Sequence, residues 1–371
     1  MNILAVETSC DETAVSVFDS AAWSSGTTDS STFLLADFIA SQSALHLPYG
    51  GVVPELAARE HLALLPKLVT TALDKAQLSP RDINAVAATR GPGLKGCLLV
   101  GLNFAKAFAY ARGIPFIPVN HLEGHIWSAE LLDRPMRPQA PFVSLVVSGG
   151  HTFLVKVNAF RNYELMASTR DDAAGEAFDK IATMIGLPYP GGPALSRLAE
   201  GGNASRFSLP VSLRADETSF SFSGLKTAAS RRLSEIPPAE RDEVLLRDFA
   251  ASAQAAIVEN LVAKSVSACT RAGVSALVLC GGVAANKRLQ RELGNALTRV
   301  GVRLIVPPPQ WCTDNAAMIA VVAAMELKEL SQRYVEWNVS RQGIGVDVPF
   351  EIDALPRWPI DQVVSGDAHA S

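Results

Sequence analysis

The sequence predicts an α/β protein built as two related lobes. Three observations carry that expectation. A chain of 371 residues is long enough for two hydrophobic cores. Each half opens the same way, with an apolar strand, a polar turn and a return strand: residues 3–7 and 13–18 first, residues 142–147 and 153–157 later. After each hairpin, strand-sized apolar runs alternate with helical patterns. A repeated opening of this kind reads as an ancient duplication.

In the first half, residues 8–12 form the tight polar turn, and the Ser/Thr-rich stretch 20–32 reads as a flexible loop. A helix is expected over residues 54–77, then a strand at 85–89, a Gly-rich turn, and a helix to about residue 111. A strand at 116–119 leads into a helix carrying two histidines. Pro135, Pro138 and Pro141 punctuate the chain, so residues 1–135 are assigned to the first lobe and 136–313 to the second. The second half continues with a helix-rich segment, 173–271, broken by Gly191-Gly192-Pro193 and by Pro237-Pro238. A strand (276–279), the turn Gly281-Gly282, a helix (286–299) and a strand (303–306) follow. Pro307-Pro308-Pro309 ends that run. A last long helix, 314–332, is expected to complete the first lobe. The tail, 350–371, has weak periodicity and is expected to wrap the surface or to be mobile.

Composition narrows the function classes. No apolar run is long enough to span a bilayer, and the N-terminus runs straight into a strand without a basic, apolar leader. The expectation is a cytoplasmic protein that does not use a membrane. Five scattered cysteines without a C-x-x-C pair suit a reducing compartment. A net charge of −4 gives no bulk attraction to nucleic acid. An RNA contact would need a partner protein or a local patch, for which Lys226, Arg231 and Arg232 are candidates.

The most informative motif is Asn120-His121-Leu122-Glu123-Gly124-His125. On a helix, residues four apart project from one face about 6 Å apart, where two imidazoles can share one metal ion. Zinc proteases use the similar His-Glu-x-x-His, with the Glu directly after the first His. Here Glu123 lies about 200° round the helix from His121 and should point away from a metal. Asn120 as N-cap with Glu123 three residues on reads as a capping box. Asp314, opening the last helix, is a candidate third ligand or a simple complement to the helix dipole.

Two glycine turns suit an anion. Val147-Ser148-Gly149-Gly150-His151-Thr152 has glycines that let backbone N–H groups approach a ligand, with hydroxyls on both sides; an ordinary hairpin turn is the plainer alternative. Gly281-Gly282 follows a strand and precedes a helix, as a nucleotide turn does. Bulky side chains at Gly150, Gly192 or Gly282 are expected to hold the backbone away from a ligand, with positive φ as a further reason for glycine. Glu176 and Asp179 are three apart and can share a helix face, in a binding role or as solvated charges. Asp11 and Glu12, in the first turn, face the cleft if the halves are related. There they serve proton transfer or a second cation, or simply form the turn.

In this order the motifs resemble one family. They are Glu7-Thr8-Ser9-Cys10-Asp11-Glu12-Thr13, Tyr49-Gly50-Gly51-Val52-Val53-Pro54-Glu55, the Asn120 to His125 run, and Ser148-Gly149-Gly150-His151-Thr152. Gly175-Glu176-Ala177-Phe178-Asp179-Lys180, Ser221-Phe222-Ser223-Gly224-Leu225-Lys226, Gly281-Gly282-Val283-Ala284-Ala285-Asn286 and Cys312-Thr313-Asp314-Asn315 complete the set. The chain resembles the bacterial TsaD (Gcp/YgjD) family of tRNA adenosine threonylcarbamoyltransferases over residues 1–345. The resemblance implies an actin-like/sugar-kinase/Hsp70 (ASKHA) fold with duplicated RNase H-like domains. It implies one Fe2+ or Zn2+ held by His121, His125 and Asp314. Val147, Ser148, Gly149, Gly150, His151, Asp179, Gly192 and Asn286 would contact an adenine nucleotide: threonylcarbamoyl-AMP, or ATP/ADP. It implies a cytoplasmic enzyme acting on tRNA with TsaB-like and TsaE-like proteins, supplied by a TsaC-type synthase. Asp11 or Glu12 would accept the proton of the attacking amine. A metalloprotease, a small-molecule kinase using the same nucleotide turns, and a non-catalytic nucleotide-binding scaffold are the rival readings.

Overall fold

The structure, a computed structural model, describes residues 1–26, 29–212, 216, 218–337 and 351–363, with only the backbone over 331–337. The chain opens with β1 (Asn2–Glu7) and β2 (Glu12–Asp19), a short helix α1 (Ser20–Ser25), β3 (Leu34–Ser41) and the single turn α2 (Ser43–His46). Helix α3 (Pro54–Ala76), β4 (Ala85–Gly91), α4 (Lys95–Arg112), β5 (Phe116–Asn120) and α5 (His121–Trp127) follow. The second part runs β6 (Phe142–Val147), β7 (Thr152–Ala159), β8 (Asn162–Thr169), α6 (Ala174–Met184), α7 (Gly191–Leu198), β9 (Ser219–Phe220), α8 (Ser223–Ser234) and α9 (Glu243–Ala272). It ends with β10 (Ala276–Cys280), α10 (Lys287–Thr298), β11 (Arg303–Ile305), α11 (Pro309–Cys312) and α12 (Ala316–Trp337).

The strands form two sheets, ordered β3-β2-β1-β4-β5 and β11-β10-β6-β7-β8-β9. Their pairing is the same. β1 is antiparallel to β2 and parallel to β4, as β6 is antiparallel to β7 and parallel to β10. β2–β3 corresponds to β7–β8, and β4–β5 to β10–β11. The duplication expected from two hairpins therefore extends to five strands on each side, with β9 added to the second.

Period-two alternation divides the side chains of β1 and β2 between two cores. Leu4, Val6, Val15 and Val17 pack with Leu65, Leu98 and Leu102 of α3 and α4. Ile3, Ala5, Ala14 and Phe18 join a second cluster that includes α5, residues 316–324 of α12, and Phe142, Val146 and Val278 of the other sheet. That shared cluster fixes the two sheets around α5 and α12. A third core lies on the outer face of the second sheet, where α10 buries Leu289, Leu293 and Leu297, one helix face at four-residue spacing. Burying each leucine contributes about 1.5–3 kcal/mol. Among the described residues, no helix is long and apolar enough to cross a membrane.

Four local expectations need correction. The stretch 20–32 is not simply a loop: Asp19 caps α1 through Ala21 N–H and Ala22 N–H, and Asp29 caps a turn at Ser30–Thr32. Thr27 and Thr28 lie outside the described residues. Strands β3 and β8 continue each hairpin into a third strand; both are half-exposed, so their apolar pattern is broken. Gly191-Gly192-Pro193 starts a helix rather than breaking one. Asp314 precedes the last helix by two residues, and Asn315 caps it by accepting from Met318 N–H at 2.8 Å. The part of the tail within the described residues, 351–363, is a strap that buries Ile352, Ala354, Trp358, Ile360 and Val363.

Candidate metal and nucleotide site

β5 ends where α5 begins, and the junction is built by Asn120. Its side-chain oxygen accepts from Leu122 N–H at 2.8 Å and Glu123 N–H at 3.4 Å, the expected N-cap. Its amide nitrogen donates to the Trp358 carbonyl at 3.0 Å, so the strap holds the other end of the same side chain. The second half of the capping box does not form. The Glu123 carboxylate is fully buried on the far side, accepting from Tyr163 Oη at 2.6 Å, with Arg161 Nε at 3.8 Å. Burial raises it to about 7 despite Arg161. Glu123 thus points away from the histidines, as its phase on the helix requires.

The sequence separation between His121, His125 and Asp314 closes in space. Asp314 Oδ1 lies 3.5 Å from His121 Nε2 and 3.2 Å from His125 Nε2, and the two rings meet edge to face at 4.7 Å. One ligand atom from each residue falls within 4.8 Å of the others, a spacing that a single divalent ion can span. Both His125 ring nitrogens are buried; Nδ1 has no hydrogen-bond partner and Nε2 faces the Asp314 carboxylate at 3.2 Å without good hydrogen-bond geometry, a costly state for a purely structural imidazole.

Behind His121 stands Glu7 at the end of β1, part of the first motif but given no role of its own in the sequence. Its Oε2 is 3.1 Å from His121 Nδ1 and also accepts from Thr89 Oγ1, while Oε1 accepts from Ser9 N–H at 2.5 Å. Burial opposes charge on this glutamate, but His121 holds its pKa below the usual value. A carboxylate only accepts, so His121 Nδ1 carries a proton and Nε2 faces Asp314. Burial disfavours the imidazolium, yet Asp314 and Glu7 outweigh it and raise His121 to about 9. Asp314 is driven low although burial alone would raise it, because the imidazoles of His121 and His125 face it.

The first turn carries Asp11, buried, and Glu12, half-buried. Burial, then the carboxylates of Asp314 and Asp11, push Glu12 up to about 9. Burial raises the phenol of Tyr189, two residues before Gly191, and the carboxylates of Asp11, Asp179 and Glu12 add to the effect. Only the fold could bring it near them.

The second turn is short. Ser148 N–H donates to the His151 carbonyl at 2.8 Å, and His151 N–H to Ser148 Oγ at 3.1 Å. Val147 is buried beneath, while Gly149 and Gly150 are exposed with open space where a Cβ would stand. Burial lowers His151 to about 4, with His121 and His125 adding to the effect, so this turn lies in the field of the histidine pair. Positive φ is not used at Gly150, Gly192 or Gly282, which corrects that part of the expectation. The demanding glycine is Gly281 at φ +88°, where a Cβ would stand 2.4 Å from the Val147 carbonyl oxygen. Gly175 likewise lies against the Ser148 carbonyl, at 2.5 Å from its would-be Cβ.

Asp179 and Glu176 take different partners. Asp179 accepts from Gly192 N–H at 2.9 Å, fixing the start of α7, and burial raises its pKa. Glu176 pairs with Lys180 at 2.5 Å near the surface. Asn286 caps α10 through Leu289 N–H at 2.9 Å, and its amide nitrogen donates to Ser196 Oγ and Gln254 Oε1. Lys226 is engaged with Asp172 at 2.7 Å.

Two sheets of one connectivity, each opening a polar turn beside the same histidine–aspartate cluster, define a two-lobe, actin-like protein of the ASKHA class. Solved structures share that fold. HypF of T. kodakarensis superposes with a TM-score of 0.60 at 14% identity, covering 88% of this chain and 48% of that one. The activator of the 2-hydroxyisocaproyl-CoA dehydratase from Clostridium difficile, with bound ADPNP, gives 0.50 at 15% identity over 93% and 99%.

Within that class, the chain belongs to the tRNA N6-adenosine threonylcarbamoyltransferase family, TsaD, whose family model matches residues 33–321. A relative of that name from Bordetella petrii is 50% identical over 333 residues, covering 88% of this chain and 91% of the relative. Another from Aromatoleum aromaticum is 45% identical over 366 residues, 98% and 99% of the two chains.

Proposed function

We propose that this protein transfers the threonylcarbamoyl group of threonylcarbamoyl-AMP to the N6 amine of adenosine 37 in tRNAs reading ANN codons, releasing AMP. One observation supports it most: the cluster of His121, His125 and Asp314 stands between a turn that presents acids and a turn that presents backbone N–H groups.

His121, His125 and Asp314 would hold one divalent ion, iron or zinc, which when bound supplies Lewis-acid polarisation of a carbamoyl or phosphate oxygen. Glu7 orients His121 for that role. The open turn Ser148 to His151, with Val147 beneath it, receives the AMP portion, and the N–H groups of Gly149 and Gly150 meet developing negative charge. Asp179, Gly192 and Asn286 shape the far end of the nucleotide site. In the transfer, the N6–carbon bond forms and the carbon–oxygen bond to phosphate breaks, with the electron pair leaving on AMP. The N6 proton passes to Asp11. Glu12, high at about 9, is protonated at neutral pH and serves as a hydrogen-bond donor beside it.

The same reading assigns residues 1–135 and helix 314–332 to one lobe, residues 136–313 to the other, and 350–371 to an appended tail. It places the protein in the cytoplasm, which its five free cysteines suit. It requires TsaB-like and TsaE-like partners and a TsaC-type donor synthase. An apolar groove of about 380 Å³ between α3 and α4, lined by Leu62, Leu65, Leu99 and Phe104, offers a docking face for such a partner.

The test is reconstitution: this chain, both partners, threonylcarbamoyl-AMP and unmodified tRNA, with nucleoside mass spectrometry. Threonylcarbamoyladenosine and stoichiometric AMP are expected; their absence from a complete, metal-loaded mixture sinks the proposal. Peptide cleavage abolished by chelator would favour the protease reading instead.

A further inference from the structure

Behind the first turn runs a buried chain of neutral side chains that takes no part in the chemistry above. It begins at the N-terminus of α3, where Val53 N–H donates to His46 Nδ1 at 3.3 Å. His46 Nε2 is 3.3 Å from Gln42 Oε1, and Gln42 Nε2 is 3.2 Å from His61 Nδ1. His61 Nε2 is 2.9 Å from the Cys10 carbonyl oxygen. Thr13 Oγ1 also reaches His61 Nδ1, at 2.7 Å, and Gln42 N–H donates to the Asp11 carbonyl at 2.9 Å.

The two ends fix every proton between them. A backbone N–H only donates, so His46 Nδ1 is an acceptor and its Nε2 carries the hydrogen. A carbonyl only accepts, so His61 Nε2 carries its hydrogen and Nδ1 is the acceptor, its one lone pair met closely by the Thr13 hydroxyl at 2.7 Å and shared with the Gln42 amide at 3.2 Å. Gln42 has one orientation that satisfies both histidines. His46, His61 and Gln42 are all buried, and burial lowers His61 below the usual histidine value, consistent with the neutral ring. Because donors point one way throughout, removing one member leaves buried polar groups unmatched on both sides.

We propose that His61 is a positioning residue for Asp11 and Glu12, holding the peptide between Cys10 and Thr13 through the Cys10 carbonyl and the Thr13 hydroxyl. Through Gln42 and His46, the same chain makes the turn's geometry depend on how the segment between Gln42 and Val53 is seated. The inference rests on the proposed role of Asp11 and Glu12 in transfer, but one of its readouts does not.

The experiment uses the full chain with its partners. His61→Ala is expected to lower kcat on the order of 10²-fold, the scale of a 1 Å misplacement. KM for tRNA should stay within about twofold, because substrate binding is untouched. Metal content should equal that of the wild type. His61→Gln, which can again donate to the Cys10 carbonyl, should recover most of the loss. Thr13→Val should repeat the defect in milder form and Thr13→Ser should not. Independently of activity, amide hydrogen exchange in a peptide spanning residues 9–14 should accelerate in His61→Ala and Thr13→Val, with the cores unchanged. Wild-type kcat in His61→Ala, or a lower kcat with unchanged exchange in that peptide, overturns the proposal. If the wild type itself forms no modified nucleoside, the transferase reading fails and the exchange result alone decides whether His61 holds the turn.

Discussion

The two hairpin turns occupy equivalent places in the duplicated sheets, yet they are built oppositely. The β1–β2 turn is held from every side. Thr8 Oγ1 donates to the Cys97 carbonyl at 2.9 Å, Leu94 N–H to the Ser9 carbonyl at 2.8 Å, and Gln42 N–H to the Asp11 carbonyl. The β6–β7 turn is tied at its base, by Ser148 with His151 and by Gly175 N–H on the Ser148 carbonyl at 3.2 Å, and its two glycines stand in open space. One copy of the motif has become a rigid mount for charge; the other has kept room for a ligand. Duplication supplied two equivalent positions facing one cleft, and the residues around each turn decided what that position does.

The largest test removes what both turns face. Asp314→Ala should cost on the order of 10³-fold or more in transfer, the several kcal/mol expected when a polarising ion is lost, and metal analysis should show the site stripped. A full metal complement in Asp314→Ala or His125→Ala would show that the turns do not share a metal centre.

A carboxylate outside both turns sharpens the contrast. Glu123 is raised from 4.5 to about 7 by burial. An acid whose folded pKa lies above its unfolded value binds its proton more tightly when folded. Its contribution to stability is therefore favourable at low pH and is lost between about pH 4.5 and 7. At about 1.4 kcal/mol per unit, Glu123→Gln should remove up to about 3 kcal/mol of that decline, while Tyr163 keeps an acceptor. Denaturant titrations at pH 5 and pH 8 measure it. An equal change with pH in wild type and variant would show that Glu123 is not the buried acid that titrates, and loss of the metal in Glu123→Gln would place this residue in the site rather than behind it.

The glycines separate rigidity from room. Gly281→Ala forces a Cβ against the Val147 carbonyl at positive φ and should destabilise the fold by about 1–3 kcal/mol. Gly150→Ala enters open space and should change stability by less than about 0.5 kcal/mol, yet weaken binding of an adenine nucleotide by calorimetry. A stable Gly281→Ala protein, or unchanged nucleotide affinity in Gly150→Ala, would erase the distinction.

Much of this was legible in the sequence where the signal is local. Helical spacing put His121 and His125 on one face, and the phase of Glu123 excluded it from them. The hairpins marked the duplication because their strands are buried on both faces and so read as plain apolar runs. What was not legible depends on distant contacts. Glu7 ends an ordinary strand, and only the packing of β1 against α5 gives it His121. Gly282 looked like the important glycine of its pair, but the chain bends at Gly281 because Val147 lies beneath it. Strands β3 and β8 were missed because half-exposed strands carry a diluted alternation.

The strap also sets an order in time. Chains are made from the N-terminus, and their earlier parts begin to fold first. Asn120 therefore emerges and caps its helix long before Trp358 exists to accept from its amide. Arg90 likewise waits for Leu355 and Asp353, and Lys106 for Ile352. A nascent chain can assemble both sheets and still lack the backbone partners that lock the histidine helix to its strand. The cleft matures only after residues 352–358 have been made, so closing the strap is a late step in assembling the site.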